Sequence, residues 1–286
     1  MRVLVLGGTG MLGFQLLKSG LKSDIEFFAV VRNKNLMCEK IPSFPLDNIY
    51  EIDDINNFKV LSEILDSINP EFVINAIGIV KQSNFAKNYI VNIEINSLLP
   101  HKMADLCESK QIRFIHISTD CVFDGEKGNY SLSDTSNAKD LYGRSKYLGE
   151  IDYGNHITLR TSIIGHEISG NNHGLLEWFL NSKDQVNGYY KAIFSGLTTL
   201  ELSKILINVV LNRDSPSGVF QVSSEPIDKL HLLELIKKVY KKDIEILPSD
   251  EIVIDRSLDG SHFNKIFKYK VSAWGLMIEE LKAEWK

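Results

Sequence analysis

Tyr142 and Lys146 stand four residues apart in a run with helix-forming character, Leu141-Tyr-Gly-Arg-Ser-Lys-Tyr-Leu. On an α-helix that spacing puts both side chains on one face. A phenol beside an ammonium is a usable proton donor. Free tyrosine has a pKa of about 10, and a nearby cation lowers it by stabilising the phenolate. Thr119 lies just past the hydrophobic run 112–117 and can supply a hydroxyl to the same place. Tyr-x-x-x-Lys pairs are also common as plain surface neighbours, so this one takes its meaning from the elements around it.

The nearest of these is the N-terminal turn. Residues 2–6 read as a short buried strand, and Gly7-Gly8-Thr9-Gly10-Met11-Leu12-Gly13 follows at once. Phe14, Leu16, Leu17 and Leu21 then recur at helical spacing. Strand, glycine turn and helix together form the setting in which GxxGxxG signals a dinucleotide site. The glycines let the backbone approach a pyrophosphate, and the helix start offers it free N–H groups and a positive dipole end. A second strand, 25–31, runs into Arg32-Asn33-Lys34. An acid at that point would hold a ribose 2′-OH, whereas an arginine suits a 2′-phosphate. Arg32 with Lys34 therefore favours NADPH, with NADH the alternative. A third strand, 49–52, leads to Asp53-Asp54-Ile55, where an adenine can sit; one of these carboxylates can equally cap the helix 57–68.

A fourth strand, 72–76, continues into Ile77-Gly78. A long helix is expected over about 89–109, with Leu98, Leu99, Met103 and Leu106 on its apolar side. Asn96, close to that stripe, needs a partner: a backbone turn, or a water in a proton relay. Strand five covers 112–117, the Tyr/Lys helix 142–152, and strand six 157–160. This alternation predicts an α/β fold, a Rossmann-type doubly wound parallel sheet whose ligands bind at the strands' C-terminal ends. The glycine turn, Arg32, Asp54, Gly78 and Thr119 all fall at such ends. Beyond Arg160 the alternation weakens. Helices are expected at 173–181, 200–211, 230–240 and 276–285, with a strand at 219–222. Residues 1–164 thus read as the nucleotide-binding domain, and 165–286 as a smaller α/β substrate lobe partly interleaved with it.

At 286 residues, 44% hydrophobic and 24% charged, the chain has the make-up of a soluble globular protein with a real core. A net charge of −5 disfavours nucleic acid and membrane surfaces as partners. No apolar run approaches the about 20 residues of a bilayer span. Met1 to Gly8 lead straight into the first turn and read as part of the fold, not as a leader. Cys38, Cys107 and Cys121 form no CxxC, which points to reduced thiols and a cytoplasmic protein. The seven histidines have no metal-ligand spacing, so no metal site is expected.

On these residues the chain resembles the extended short-chain dehydrogenase/reductases, and within them the dTDP-4-dehydrorhamnose reductase family. The likeness rests on GGTGMLG from Gly7, NPEFVINAIG from Asn69, STDCVFDG from Ser118, YGRSKYLGE from Tyr142 and LRTS from Leu159. The stretch 196–199, Gly-Leu-Thr-Thr, is similar to that family's Gly-x-Pro-Thr near the sugar nucleotide. The resemblance implies a catalytic set of Thr119, Tyr142 and Lys146. Tyr142 would protonate the substrate oxygen, Lys146 would hold the nicotinamide ribose and acidify Tyr142, and Thr119 would bond the carbonyl. It implies cofactor contacts from Gly7, Thr9, Gly10, Met11, Leu12, Gly13, Arg32, Asp54, Ile55, Ala76, Ile77 and Gly78. It places Cys121, Ile163, Gly196, Thr198 and Arg256 towards a nucleotide-sugar substrate. Arg256 is read as a diphosphate ligand or as part of a structural salt bridge, and Glu201 and His173 stay undecided between site and scaffold. The oligomeric state is open, with a homodimer among the options.

Three departures from the family pattern lie at the sugar side. Cys121 stands where a tyrosine is usual and Ile163 where a tryptophan is usual, while Ala138 and Asp140 replace a common proline and asparagine. The cofactor turn and Tyr/Lys pair are intact. This implies NADPH-dependent reduction of a 4-keto-6-deoxy sugar on a nucleotide, with a UDP-linked acetamido sugar as one candidate. Two rivals remain. One is an epimerase or dehydratase with tightly bound NAD, although Asp120-Cys121 lacks the dehydratases' Asp-Glu pair. The other is a non-catalytic regulatory subunit of the methionine adenosyltransferase β type.

Overall fold

The computed structural model describes residues 1–168, 170 and 174–285. Its centre is a seven-stranded sheet in which every pairing is parallel. Six strands come from the first 161 residues: β1 (Arg2–Leu6), β2 (Glu26–Val31), β3 (Ile49–Glu51), β4 (Phe72–Asn75), β5 (Arg113–Thr119) and β6 (Ile157–Thr161). Their order is β3-β2-β1-β4-β5-β6, and Gly218–Gln221 adds the seventh strand beside β6.

Side-chain alternation explains why both faces must be covered. Val3 and Val5 of β1 enter one core with Leu16, Leu202, Ile205 and Ile278, whereas Leu4 and Leu6 enter another with Leu61, Leu65, Leu99 and Met103. Helix α1 (Met11–Gly20) and the helices Thr199–Ile205 and Trp274–Trp285 cover the first face. Phe58–Ile68 and Leu99–Ser109 cover the second. The doubly wound parallel fold expected from the sequence is therefore present. Smaller sheets flank its C-terminal edge, including a three-stranded one in which Ala192–Phe194 runs between Ile227–Asp228 and Ile254–Asp255.

Several expected bounds shift. The helix over about 89–109 is Tyr89–Asn92 followed by a π turn, Ile93–Leu98, and then Leu99–Ser109. A π turn inserts an extra residue and changes the phase of the helix face. Leu98, expected in the core, is consequently exposed, while Asn96 and Ser97 are buried. The Tyr/Lys helix stops at Leu148, and its C-cap Gly149 lies so close to the Asn96 carbonyl that a Cβ there would collide with it. The expected helix from 173 begins at Leu175; His173 lies outside the described residues. Asn57, not an aspartate, caps Phe58–Ile68, its side chain accepting from the Val60 amide at 3.3 Å.

Candidate active site

The glycine turn is built as its composition requires. Gly7 has φ +87°, and the Gly7 and Gly8 amides both donate to the Val30 carbonyl, at 3.0 and 3.1 Å. A Cβ at Gly13 would strike the Gly7 carbonyl oxygen, so only glycine lets α1 start this close to β1. Gly10 caps α1 without a side chain, which leaves the first-turn amides facing outward with no side-chain acceptor. Thr9, Gly10 and Met11 reach the surface, and Leu12 is buried. This cradle fits a pyrophosphate.

Arg32 and Lys34 part company. Arg32 is exposed and has no hydrogen-bond or ion-pair partner among the described residues. Lys34 donates to the carbonyls of Leu46 and Ile49, at 2.9 and 3.1 Å, and is therefore a strut, not a second phosphate ligand. Asp54 accepts from the Asn56 amide at 2.9 Å in an exposed turn, with Ile55 half-buried beside it. After β4, Ala76, Ile77 and Gly78 run past the sheet end with Gly78 exposed. Asn96 fixes this segment: its Oδ1 accepts from the Ile79 amide at 2.8 Å, and its Nδ2 donates to the Ile79 carbonyl at 3.1 Å and to Ser145 Oγ at 3.2 Å. Of the two roles expected for Asn96, ordering a backbone turn is the one the geometry fills. The same amide ties the segment to the Tyr/Lys helix, and a Cβ at Gly78 would lie 3.9 Å from Lys146 Nζ.

Thr119, Tyr142 and Lys146 converge at the end of β5. Thr119 Oγ1 accepts from the Cys121 amide and donates to Asp120 Oδ1, both at 3.1 Å. Asp140 caps Leu141–Leu148 by accepting from the Gly143 amide at 2.8 Å. It also pairs with Lys81, whose Nζ stands 5.6 Å from the Tyr142 ring centroid. Lys146 is buried, donates to the Ile117 carbonyl at 2.7 Å and faces His116 Nε2 at 3.2 Å.

The electrostatics correct one expectation. Burial pushes the Tyr142 phenol above its ordinary value; Cys121, Asp120 and Asp140 add to this, and the Thr119 hydroxyl opposes it. Lys146 is not among the groups that lower it. Burial instead brings Lys146 itself down to about 8, against the pull of Glu150. The phenol is thus held firmly protonated, as a proton donor must be.

Two residues here were not singled out from the sequence. His116 is fully buried and held neutral, its pKa well below the ordinary value through burial and the Lys146 charge. Asn75 Oδ1 accepts from the Ile77 amide, leaving its Nδ2 to meet His116 Nδ1 at 3.2 Å. A polar residue inside the apolar strand run before Thr119 was the available signal. Gly143 is the other: a Cβ there would strike the Cys121 carbonyl oxygen, so glycine lets the Tyr/Lys helix press on the loop after Thr119.

The expected substrate residues divide. Cys121 is half-buried in the corner, its thiol pushed up to about 12 by burial and by Asp120. Arg256 donates to the carbonyls of Phe123 and Asp124, at 2.9 and 3.3 Å, and among the described residues it has no salt bridge of the kind weighed from the sequence. It lines a cleft of about 910 Å³ with Lys139, Asp140, Tyr190 and Lys191. A smaller cleft of about 460 Å³ holds Lys81, Tyr89 and Tyr142 and shares Asp140 with the first. Thr198 does not serve as a ligand group: it is fully buried and caps Thr199–Ile205 through the Glu201 amide, at 3.2 Å. Gly196 packs against the Ser162 carbonyl, and Ile163 pairs with Leu197. Glu201 accepts from Tyr269 Oη and the Ser272 amide, a scaffold role.

A doubly wound sheet with a glycine turn at one strand end and a Thr/Tyr/Lys corner at another defines the extended short-chain dehydrogenase/reductase class. A family model described as the RmlD substrate binding domain matches residues 1–226, and the chain belongs to this family. Among curated relatives, a probable low-salt glycan biosynthesis reductase of Haloferax volcanii is 32% identical over 52% of this chain and 48% of its own length. The spore coat polysaccharide biosynthesis protein SpsK of Bacillus subtilis is 26% identical over 79% and 74%. The chain spans about half the length of the first curated relatives it matches. Among solved structures, a hypothetical dTDP-4-dehydrorhamnose reductase from Sulfolobus tokodaii is 25% identical, covers 96% of this chain and 98% of its own, and has a TM-score of 0.77. A Bacillus anthracis dTDP-4-dehydrorhamnose reductase in complex with NADP shares the fold, with a TM-score of 0.78 at 18% identity over 99% of each chain.

Proposed function

We propose that this chain is an NADPH-dependent reductase of a nucleotide-linked 4-keto-6-deoxy sugar in the building of a polysaccharide or glycan. The observation that carries the reading is the approach of Gly78, on the nucleotide side, to Lys146 in the Thr119/Tyr142 corner. The first-turn amides of α1 fit the pyrophosphate, and Arg32, exposed and unpartnered among the described residues, fits a ribose 2′-phosphate. When bound, the reduced nicotinamide supplies the hydride. Tyr142 holds a proton for the substrate oxygen, Thr119 adds a hydroxyl beside it, and Lys146 presents donors to a ribose from a fixed mount on Ile117. Residues 165–286 form most of the substrate lobe, with Arg256 at the diphosphate. The three free cysteines accord with the cytoplasm.

Loss of NADPH absorbance with a panel of dTDP- and UDP-linked 4-keto sugars tests this, with an acetamido sugar included because Cys121 and Ile163 alter the pocket. Stoichiometric consumption supports the reductase. Isomerisation without net consumption points to an epimerase. Silence throughout, with NADPH still bound, points to a binding subunit like the methionine adenosyltransferase β relative of Danio rerio, 27% identical over 58% of this chain and 49% of its own length.

A further inference from the structure

Lys229 is the first residue of the helix Lys229–Tyr240, where its positive charge meets the positive end of the helix dipole. Asp228 spends its carboxylate on the cap and on His231, with Oδ1 2.9 Å from the His231 amide and Oδ2 2.6 Å from its ring. The Lys229 ammonium lies 3.3 Å from the Phe194 ring centroid, an aromatic platform that fixes where it points. Its electrostatic neighbours are Asp120 and Cys121, the two residues after Thr119. Arg256 acts on the same two residues and Lys81 on Cys121, so three cations surround the loop beyond the catalytic threonine in a chain of net charge −5. Among the described residues, no acceptor stands within hydrogen-bonding distance of the Lys229 ammonium, which has three protons to donate. Burial brings its pKa down to about 8 even with Asp120 nearby. An ammonium seated on a ring, at the wrong end of a dipole and without an acceptor is placed for a group that arrives from outside.

Building on the sugar-nucleotide reading, we propose that Lys229 is a substrate contact that takes an anionic oxygen group of the ligand, either its diphosphate or a carboxylate on its sugar. Lys229→Met keeps the apolar stem on Phe194 and removes the charge, and Lys229→Arg restores it.

The test is calorimetric titration of the NADPH-loaded wild type and both variants with UDP, dTDP, UDP-glucose and UDP-glucuronate, alongside melting curves and NADPH affinity. The expected result is a loss of about tenfold or more in Lys229→Met, largely recovered in Lys229→Arg, with NADPH binding unchanged and Lys229→Met melting no lower than the wild type, since it removes a buried charge. Weakening with all four ligands assigns the diphosphate; weakening with UDP-glucuronate alone assigns the carboxylate. Equal affinity for all four in a folded Lys229→Met overturns the assignment and leaves the reductase reading intact. A wild type that binds none of the four overturns both. Should Lys229→Met fail to fold, reductive methylation of the wild type answers instead: protection of Lys229 by UDP-glucuronate is expected, and equal labelling with and without it overturns the proposal.

Discussion

Gly143 rests on the Cys121 carbonyl so closely that any Cβ there would meet its oxygen. The obstacle is backbone, which cannot swing aside as a flexible side chain can. Gly143→Ala is therefore expected to lose about 1–3 kcal/mol in denaturant unfolding, the range for overpacking, in place of the gain that alanine normally brings to a helix. Turnover should fall as well, because Tyr142 is the neighbouring residue. A stabilised variant with normal turnover would contradict this packing.

Tyr142→Phe removes the proton donor and leaves the glycine turn untouched. Turnover on the true substrate should fall by about 10²–10³, with NADPH affinity unchanged. Near-normal kcat would remove Tyr142 from the chemistry.

Arg32 and Lys34, two residues apart, should respond to different assays. Arg32→Ala is expected to raise the KM for NADPH about tenfold or more while sparing both NADH and stability. Lys34→Ala should lower the melting temperature with little change in cofactor choice, since its ammonium holds Leu46 and Ile49. The reverse pattern would reassign the phosphate contact.

The buried lysine makes a pH prediction. In the folded chain Lys146 titrates at about 8, below its unfolded value of 10.5. Between those pH values the unfolded state holds more protons, so this group makes stability rise with pH. Lys146→Met should flatten that rise in unfolding measured from pH 8 to 10, and an unchanged slope would show that the ammonium is not desolvated. Lys229 contributes in the same direction and serves as the internal comparison.

Glu150 and Arg160 form a buried pair at 2.6 to 3.0 Å, and Ser118 Oγ donates to the same carboxylate at 2.6 Å. This ties β5 and β6 to the second residue past the end of the Tyr/Lys helix. Arg160→Ala strands a buried carboxylate and should cost about 3–5 kcal/mol in chemical denaturation. A loss below 1 kcal/mol would mean that solvent reaches the pair.

The sequence made plain what depends on neighbouring residues. The strand runs, the glycine turn and the Tyr142/Lys146 spacing are local patterns, and each one formed. What it hid depends on distant contacts. Leu98 left the core because of a π turn that no periodicity announces. Thr198 looked like a ligand residue until its hydroxyl was found capping a helix. Lys34 beside Arg32 read as a partner in holding a 2′-phosphate, and only the fold brings the carbonyls of Leu46 and Ile49 to it. Lys229 lies more than a hundred residues from Thr119, and only the return of the chain sets it against Asp120.

That return bears on how the molecule comes to be made. The outermost strand, Gly218–Gln221, aligns with β6 only after the intervening segment has been synthesised. A nascent chain halted near residue 164 would hold six strands with the rim of β6 unprotected, its amides and carbonyls open to whatever strand comes first. The shorter piece should therefore self-associate when expressed alone, and supplying residues 165–285 in trans should restore a monodisperse particle.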